Sequence, residues 1–434
     1  LARHARFHDG APVTARDVAF SILAVRDHHS FNTMLAAVAA VETPDPHTVV
    51  VRLKHPHPAL FLALSAPLTP ILPAHVYDDG QPLTGHPANL QPVGSGPFRL
   101  VGREPDGRLR LARVEDFFLG RAALARLVIH YYQDVRQLAL AMAAGEHQLA
   151  LFMTLYDINR ILQGLPEWLV EERMGYGGVP GYQINLAFNL KHPTLTDRRV
   201  RQAIAHALDR KYLYGQVFEE ENLALGPFHP AHPYATPVMN RYSLDVARAN
   251  RLLETAGLPR DAGGERFRME FLLVHTPRME ALADYLRWDL GRKLGVRVVP
   301  VFARDIADWQ HRLMANDFQV GLDVRLAWGD PLLGLHRIYH SDAIRRDGLY
   351  TNYAHYAEPE VDRLLARAGR TRDPAARAAL YRRFAERVAE DLPYLWLSYT
   401  PLQTVRHRDL IFPTDSPWAA TQPYQRVRWR ENGP

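Results

Sequence analysis

Two pairs of histidines have spacings that could ligate a metal ion, namely His55 with His57 and His229 with His232. All four stand among prolines in predicted turns, and no helical His-x-x-x-His pattern faces a glutamate, as zinc hydrolases require. The chain has no cysteine, which excludes thiolate ligands, disulfides and a cysteine nucleophile. We therefore expect ordinary loop histidines and no bound metal.

Motifs of catalysis are missing from the sequence. There is no Gly-x-Ser-x-Gly nucleophile turn, no Ser-x-x-Lys pair and no cofactor fingerprint. The glycine-rich run 93–101 lacks the spacing of loops that hold phosphate groups, so it predicts a tight turn before a strand. These patterns predict a binding protein without a cofactor rather than an enzyme.

Two loops carry residues that suit contact with a ligand. Trp328 and Asp330 follow the predicted strand 318–326, and ligands of open α/β sheets gather at the carboxyl ends of strands. The run 174–181 holds Tyr176 among glycines, whose backbone can approach a ligand closely. The same run also suits a flexible turn, so both interpretations of this loop stay open.

Alternating strands and helices must position these loops. Apolar and polar residues alternate over 184–190, which predicts a strand, and a helix with a buried face follows after a cap at Thr196 or Asp197. Strands predicted at 269–274 and 296–302 flank a long helix. That order implies a right-handed crossover and a parallel strand pair. The chain is therefore expected to be a mixed α/β protein.

Length and composition limit the class of protein. With 434 residues, of which 47% are hydrophobic, the chain can bury a large core and favours two or three domains. No run approaches the roughly 20 apolar residues that a membrane-spanning helix needs. The net charge is +5, but the basic residues, nearly all Arg, are interleaved with Asp and Glu. This distribution argues against a nucleic-acid partner.

A domain crossover is predicted in the run 223–237, which is dense in proline and glycine and poor in periodicity. The first residues, 1–7, show neither an initiator Met nor the succession of charged, apolar and small residues of a signal peptide. We interpret the sequence as a fragment that begins within a domain.

Several motifs, taken in order, resemble one protein family. They are Phe7-His-Asp-Gly-x-Pro-Val-Thr-Ala-x-Asp-Val-x-Phe-Ser21, Gly94-Ser-Gly-Pro-Phe98, Leu186-Ala-Phe-Asn189, Arg198-x-x-x-Gln-Ala-Ile-x-x-Ala207 and Glu360-Val-Asp-Arg-Leu-Leu365. The family is that of the extracellular solute-binding proteins, family 5, of peptide/nickel-type ABC transporters. Each motif alone is weak, but their order and spacing are specific, and the resemblance covers nearly the whole chain.

The resemblance implies a two-lobed α/β fold of the type II periplasmic-binding-protein kind, with an extra subdomain in its amino-terminal part. Carried onto this chain, it implies that residues 1–120 form this extra subdomain of the first lobe, whose start is missing. Residues 121–225 and 401–434 are then expected to complete the first lobe, and residues 226–400 to form the second.

The resemblance also implies a function without catalysis. The lobes close on a small solute, and a membrane ABC permease recognises the closed form for uptake. A short peptide is the first expectation for the solute. An opine-like conjugate, an oligosaccharide or chelated nickel is the alternative, and a hydrolase ranks behind these. We expect a monomer in the periplasm, or anchored to the outer face of the cytoplasmic membrane, with its export signal outside this sequence.

Peptide binders of the family hold the ligand's amino group with an Asp just after a Trp, a pattern that Trp328-Gly329-Asp330 resembles. A carboxylate in a closed cleft is a strong partner for an ammonium group. This loop is one residue shorter than in dipeptide binders, however. Asp330 with Pro331 can therefore match a second Asp-Pro of the family and cap the next turn.

Further ligand contacts follow from the same resemblance. Arg278 lies between a predicted strand and its following helix, near where dipeptide-type members place an Arg for the ligand's carboxylate. The alternative is an exposed Arg in the first turn of a helix. Trp328, Tyr176, Tyr234 and Tyr353 are candidates for apolar and stacking walls, with ordinary core or surface positions as the alternative.

Overall fold

The computed structural model describes residues 1–29, 31–132, 134–151, 164–176, 179–180, 182–218, 223–326, 329–345, 351–400, 402–413 and 424–430. Within these ranges no helix is both long and apolar enough to cross a membrane. The sequence also predicts a short helix at 157–165, and most of that segment lies outside the described residues.

Helices and strands alternate along much of the chain. The α-helices are Ala15–His28, Leu60–Ala63, Ala74–Tyr77, Val135–Ala143, Arg198–Ala207, Arg210–Leu213, Val246–Thr255, Pro277–Leu294, Ile306–Ala315, Leu335–Tyr339, Pro359–Arg370 and Pro374–Asp391. The strands are β1 (Val38–Asp45), β2 (Thr48–Leu53), β3 (Phe98–Arg103), β4 (Leu109–Arg113), β5 (Arg126–Ile129), β6 (Leu149–Leu151), β7 (Leu169–Tyr176), β8 (Val179–Pro180), β9 (Tyr182–Phe188), β10 (Phe267–Leu273), β11 (Val296–Phe302), β12 (Val320–Leu326), β13 (Tyr394–Thr400), β14 (Leu402–His407), β15 (Leu410–Ile411) and β16 (Arg428–Trp429).

Short helical turns complete the elements. The 3-10 helices are Asn32–Leu35, Pro87–Leu90, Val238–Arg241, Ser341–Ala343 and Tyr424–Arg426, and a π-helical turn spans Tyr214–Phe218.

The largest sheet has five strands in the order β11-β10-β12-β9-β13. Strand β10 runs parallel to β11 and β12, as the alternation of strands and helices predicted. Strand β9 is antiparallel to β12 and to β13. Because β10 and β12 run in one direction and β9 in the other, the carboxyl ends of the first two and the amino end of β9 lie at one edge.

Local sequence explains the helix that follows β9. The Asp197 carboxylate accepts a hydrogen bond from the Arg199 backbone N–H at 2.8 Å and caps the helix Arg198–Ala207. Its apolar side chains recur at helical spacing and are buried against the large sheet and the helices Val246–Thr255 and Pro277–Leu294. The predicted strand-to-helix unit is therefore confirmed.

A second sheet has four strands in the order β6-β14-β7-β8. The chain passes between the two large sheets at two places, from Pro180 in β8 to Tyr182 in β9 and from Thr400 in β13 to Leu402 in β14. These crossings are neighbours, because Thr400 lies opposite Tyr182 in the pairing of β13 with β9. The two sheets are thus connected at two neighbouring places in the chain, an arrangement that suits hinge motion.

The amino-terminal part contains the β1–β2 hairpin and the three-stranded sheet β3-β4-β5. Its first helix starts at a capping box in which the Asp17 carboxylate accepts hydrogen bonds from the Thr14 backbone N–H at 2.8 Å and the Thr14 hydroxyl at 2.7 Å. Leu410, Phe412 and Val427 from the carboxyl-terminal end are buried in the same core as this part.

The crossover predicted within 223–237 and the boundary predicted at residue 225 are wrong. Strand β9 belongs to the same sheet as β10, β11 and β12, and one continuous core joins Ile184 to Tyr399. The proline-rich run is not a linker, since the Ala224 N–H donates to the Leu397 carbonyl at 3.3 Å and the run continues along β13. The prediction from composition failed because proline-rich turns that cover the end of a sheet have the same composition as a linker.

Candidate functional site

A cavity of about 60 Å³ lies at the edge of the large sheet where β12 ends and β9 begins. It is lined by Gln183, Pro227, Phe228, His229, His232, Arg325, Leu326, Gly329, Asp330, Pro331, Gly334, Leu335, Ile338 and Tyr399. A water molecule needs roughly 10–15 Å³ of such volume, so the cavity accommodates a small polar group rather than a whole solute.

This cavity borders the amino-terminal body. Leu326 lines it and also packs against the core that contains Ile22 and Leu35. Beside it, Leu333 is buried in that same core. The edge of the sheet that carries the cavity therefore faces the other lobe, which is where ligands of open α/β sheets are found.

Two cation contacts hold these bodies against each other. The Arg337 guanidinium lies 3.5 Å from the centroid of the Phe31 ring, and the Arg345 Nη1 donates to the Asn32 Oδ1 at 3.2 Å. Both arginines follow the cavity segment in the chain, and both partners lie in the amino-terminal body. The two bodies are therefore in direct contact next to the cavity.

Asp330 is engaged by an arginine of its own lobe. Its Oδ2 accepts from the Arg377 Nη1 and its Oδ1 from the Arg377 Nη2, both at 2.8 Å. Oδ1 also accepts from the Leu332 backbone N–H at 2.9 Å, which caps the next turn. Burial alone would raise the pKa of Asp330, but the hydrogen bonds and charge of Arg377 outweigh it and hold that pKa below its ordinary value.

This geometry favours the structural interpretation of Asp330 over the ammonium anchor. Both carboxylate oxygens already have a cationic partner, so a ligand ammonium group would meet a neutralised pair rather than a free negative charge. Gly329 reaches the cavity with a φ of 80°, a conformation that glycine adopts without steric cost. Trp328 lies outside the described residues.

The remaining predicted contacts are scattered. Tyr234 stacks on Tyr381 with a centroid separation of 4.9 Å. Its hydroxyl accepts a hydrogen bond from the Arg377 Nη1 at 3.4 Å, so it helps to position the Asp330–Arg377 pair. The side chain of Tyr176, the last residue of β7, lies outside the described part of the structure.

Two further predicted residues are buried away from the cavity lining. Tyr353 accepts a hydrogen bond on its backbone carbonyl from the Asn316 side chain at 3.1 Å, near where β12 begins. It therefore lies at the edge of the sheet opposite the cavity. Arg278 is buried, with 3% of its surface exposed, in the first turn of the helix Pro277–Leu294. The alternative of an exposed Arg at this position is wrong.

The histidines that could have suggested a metal make hydrogen bonds to backbone groups instead. His57 Nε2 contacts the Met34 carbonyl at 2.7 Å, and His55 Nδ1 contacts the Pro56 carbonyl at 3.0 Å. Over the ranges that the structure describes, no group of three His, Asp or Glu side chains is placed to hold a metal ion.

Sequence reasoning missed Arg325 and the place of His229 in the cavity lining. Arg325 is 4% exposed and forms an ion pair with Asp323, two residues earlier on the same face of β12. Its guanidinium lies 3.7 Å from the centroid of the Tyr394 ring. The available signal was a charged pair at i and i+2 inside an otherwise apolar strand, because such a pair must be buried with its partners.

The family model described as bacterial extracellular solute-binding proteins, family 5, matches residues 1–345. The chain belongs to this family, and its fold is the type II periplasmic-binding-protein fold that the sequence motifs implied. Members of the family are solute-binding proteins of ABC transporters and act outside the cytoplasm.

Curated relatives agree with this assignment. Protein XP55 of Streptomyces lividans is 28% identical over 423 residues, covering 92% of this chain and 72% of the relative. A putative ABC transporter peptide-binding protein of Brucella ovis is 29% identical over 307 residues, covering 68% of this chain. The match spans only 55% of the length of that Brucella protein.

Solved structures share the fold at low sequence identity. DppA from Helicobacter pylori, in complex with the peptide STSA, has a TM-score of 0.84 at 21% identity and covers 98% of this chain and 85% of its own. NikZ from Campylobacter jejuni, in complex with Ni(L-His), has a TM-score of 0.82 at 23% identity, with 95% and 82% covered. AgaA from A. tumefacien R10, in complex with agropinic acid, has a TM-score of 0.83 at 23% identity, with 98% and 85% covered.

Proposed function

We propose that this protein binds a short peptide between its two lobes and delivers it, chemically unchanged, to an ABC permease. The observation that carries this proposal is the cavity at the edge of the large sheet, lined by buried polar side chains and bordered by the other lobe. The names of the Brucella relatives and of DppA support a peptide as the solute.

Closure supplies the mechanism. The chain passes between the two large sheets next to the paired residues Tyr182 and Thr400, so rotation of the lobes there disturbs few bonds. A solute that contacts both lobes stabilises the closed state by the contacts that it makes only there. The stacking of Arg337 on Phe31 belongs to the closed arrangement and adds to that preference. No step of this mechanism requires catalysis.

An acidic small solute other than a peptide is the second candidate. It is favoured by the pairing of Asp330 with Arg377, because that pairing leaves no free carboxylate in the cavity for a ligand ammonium group. Agropinic acid bound to AgaA is an example of such a solute in a protein of the same fold. The proposal further includes a monomer that works on the outer side of the cytoplasmic membrane.

The test is a solute panel against the full chain. Di- to pentapeptides, agropinic acid, the nickel–histidine complex and an oligosaccharide are compared by thermal unfolding and calorimetry, and mass spectrometry checks whether the solute is altered. We expect a peptide to raise the unfolding midpoint with increasing concentration. A response to the other solutes alone would contradict the peptide assignment, and cleavage of the peptide would contradict delivery without catalysis.

A pair of variants locates the solute. Leu335 lines the cavity, whereas Leu140 is 58% exposed on the helix Val135–Ala143. Leu335→Trp fills part of the cavity and should weaken binding of the responding solute by at least tenfold, while Leu140→Trp should leave it unchanged. Equal affinities in the two variants would place the solute elsewhere.

A further inference from the structure

We propose that the His229 Nε2–H is a hydrogen-bond donor of the cavity and that it binds an uncharged carbonyl oxygen of the solute, as a peptide backbone provides. The inference deepens the proposed function and rests on it for the identity of the whole solute. The binding of the carbonyl group can be tested by itself with a small amide, so a failure of the peptide assignment and a failure of this donor give different results.

Two histidines of the proline-rich run make the same local contact. The Nδ1 of His229 accepts a hydrogen bond from the Ala231 backbone N–H at 3.0 Å, and the Nδ1 of His232 accepts one from the Tyr234 backbone N–H at 3.1 Å. A ring nitrogen that accepts a hydrogen bond carries no proton, and burial lowers the pKa of both histidines. Each ring is therefore neutral at pH 7, with its proton on Nε2.

The two rings differ at Nε2. The His232 ring is also hydrogen-bonded to the Gly329 backbone, which uses its remaining nitrogen. The Nε2 of His229 is buried and makes no hydrogen bond with any residue that the structure describes, and His229 lines the cavity with 6% of its surface exposed. A buried donor without an acceptor is costly, so an acceptor on a bound solute removes a cost that the free protein bears.

The charged groups at the cavity form two balanced pairs. Arg325 forms an ion pair with Asp323 and is hydrogen-bonded to Tyr394. Asp330 accepts two hydrogen bonds of 2.8 Å from Arg377. A carboxylate that entered the cavity would therefore meet cations that already have partners, and burying a charge without a counter-charge is costly. An uncharged carbonyl oxygen satisfies the donor without that cost.

Neighbouring side chains fix the orientation of the donor. The Tyr399 ring packs against the His229 ring at an interplanar angle of 75°, with 4.9 Å between the centroids. The Gln183 Nε2, beside them in the lining, donates to the Gly226 carbonyl at 2.8 Å and so is already engaged. A volume of about 60 Å³ holds one carbonyl group, so the rest of the solute must extend out of the cavity.

The position of the proton also disfavours a metal ion at His229. An imidazole binds a metal through a nitrogen lone pair, whereas Nε2 carries the proton and the Nδ1 lone pair accepts the Ala231 N–H. A metal could bind Nε2 only if the proton left that nitrogen. The donor therefore selects for an oxygen acceptor and against a chelated metal.

The first experiment observes the ring directly. The full chain with isotope-labelled histidine is examined by NMR at pH 7, and the His229 signals are assigned by their absence in His229→Gln. We expect a proton on Nε2 that shifts downfield when N-methylacetamide is added, and a smaller shift with the same concentration of acetate. A proton on Nδ1, no shift with the amide, or an equal shift with acetate would overturn the proposal. Loss of the Nε2 proton on addition of the nickel–histidine complex would also overturn it.

A pair of variants separates the donor from the packing of the ring. His229→Gln retains an N–H donor near the position of Nε2, whereas His229→Leu has none, and both lose the acceptor for the Ala231 N–H. The binding of N-methylacetamide is followed through the NMR signals of the amide itself. We expect it to be about three- to tenfold weaker in the Leu variant than in the Gln variant, the usual size of one net hydrogen bond. Equal affinities in these two variants would remove His229 from the site.

The control is His311→Leu, which replaces an exposed histidine of the helix Ile306–Ala315 and should bind the amide like the wild-type protein. If the amide binds through His229 while no peptide of the panel binds, the donor is supported and the peptide assignment is wrong. If a peptide binds equally well to the Gln and Leu variants, the peptide assignment is supported and the donor is wrong.

Discussion

Asp330 and Arg377 are joined by two parallel hydrogen bonds of 2.8 Å, which fasten the loop after β12 to the helix Pro374–Asp391. The side chains are 18% and 8% exposed, so this is a largely buried ion pair. Tyr381 and Tyr234 pack around the guanidinium, at 5.3 and 5.8 Å from their ring centroids. The acidic residue that the family resemblance favoured as a ligand anchor therefore stabilises the wall of the cavity.

Removing the charge of Asp330 should mainly lower the stability of the fold, and its effect on solute binding should be smaller. Asp330→Asn keeps an acceptor for the Leu332 N–H but leaves the Arg377 guanidinium without a counter-charge. We expect a loss of about 3 kcal/mol in the free energy of unfolding, measured with urea. The control Asp284→Asn, in an exposed pair with Arg287, should be close to neutral.

The interpretation of Asp330 as a ligand anchor predicts a different result for the same variant. If Asp330 anchors a ligand ammonium group, Asp330→Asn will unfold like the wild-type protein yet lose peptide affinity. The double variant Asp330→Asn with Arg377→Met adds a second check, because it removes both charges and should recover much of the lost stability.

Acid should destabilise the fold between about pH 6.5 and pH 3. Burial lowers the pKa of His336 to about 3, whereas an unfolded histidine has a pKa of about 6.5. Within this window the unfolded chain binds one more proton at this site, so the stability contributed by neutral His336 is complete above pH 6.5 and falls as the pH drops. The slope from one such group is about 1.4 kcal/mol per pH unit.

His336→Gln provides the measurement. Glutamine can still contact the Tyr381 hydroxyl, which lies 3.5 Å from the His336 Nε2, but it does not titrate. Urea unfolding from pH 7 to pH 4.5 should show a shallower loss of stability in this variant. This range stays above the window in which Asp330, with its lowered pKa, would become protonated. An unchanged slope would contradict the buried, neutral state of His336.

Closure should weaken when Phe31 is truncated. The Arg337 guanidinium lies 3.5 Å from the centroid of the Phe31 ring, across the contact between the lobes. Phe31→Ala should reduce the affinity for the responding solute by roughly three- to tenfold, within the range of a partly buried cation–π contact. Phe61→Ala is the control, because Phe61 is 90% exposed in the same lobe.

Solution scattering separates closure from direct contact. With saturating solute, the wild-type protein and the Phe61 variant should show the smaller radius of gyration of the closed state. The Phe31 variant should require more solute to reach it, because the closed state alone is destabilised. A Phe31 variant that binds and closes like the wild-type protein would exclude this contact from the closing equilibrium.

Local patterns predicted the elements around the site well. The helix that begins after Thr196 and Asp197 and the parallel strands β10 and β11 are found where the sequence placed them. Each depends on residues only a few positions apart, so the signal is present in the sequence itself. The boundary at residue 225 failed because sheet membership depends on pairing between distant strands.

The sequence by itself determined the α/β class, the order of the elements and the family, since period, caps and motif spacing act over short stretches of chain. Only the tertiary structure decided that Asp330 is neutralised by Arg377, and that Gln183, His229 and Arg325 share one cavity. These side chains come from distant parts of the chain. The pairing of distant strands decides which of them are buried together, and so which charges and hydrogen-bond donors face the same cavity.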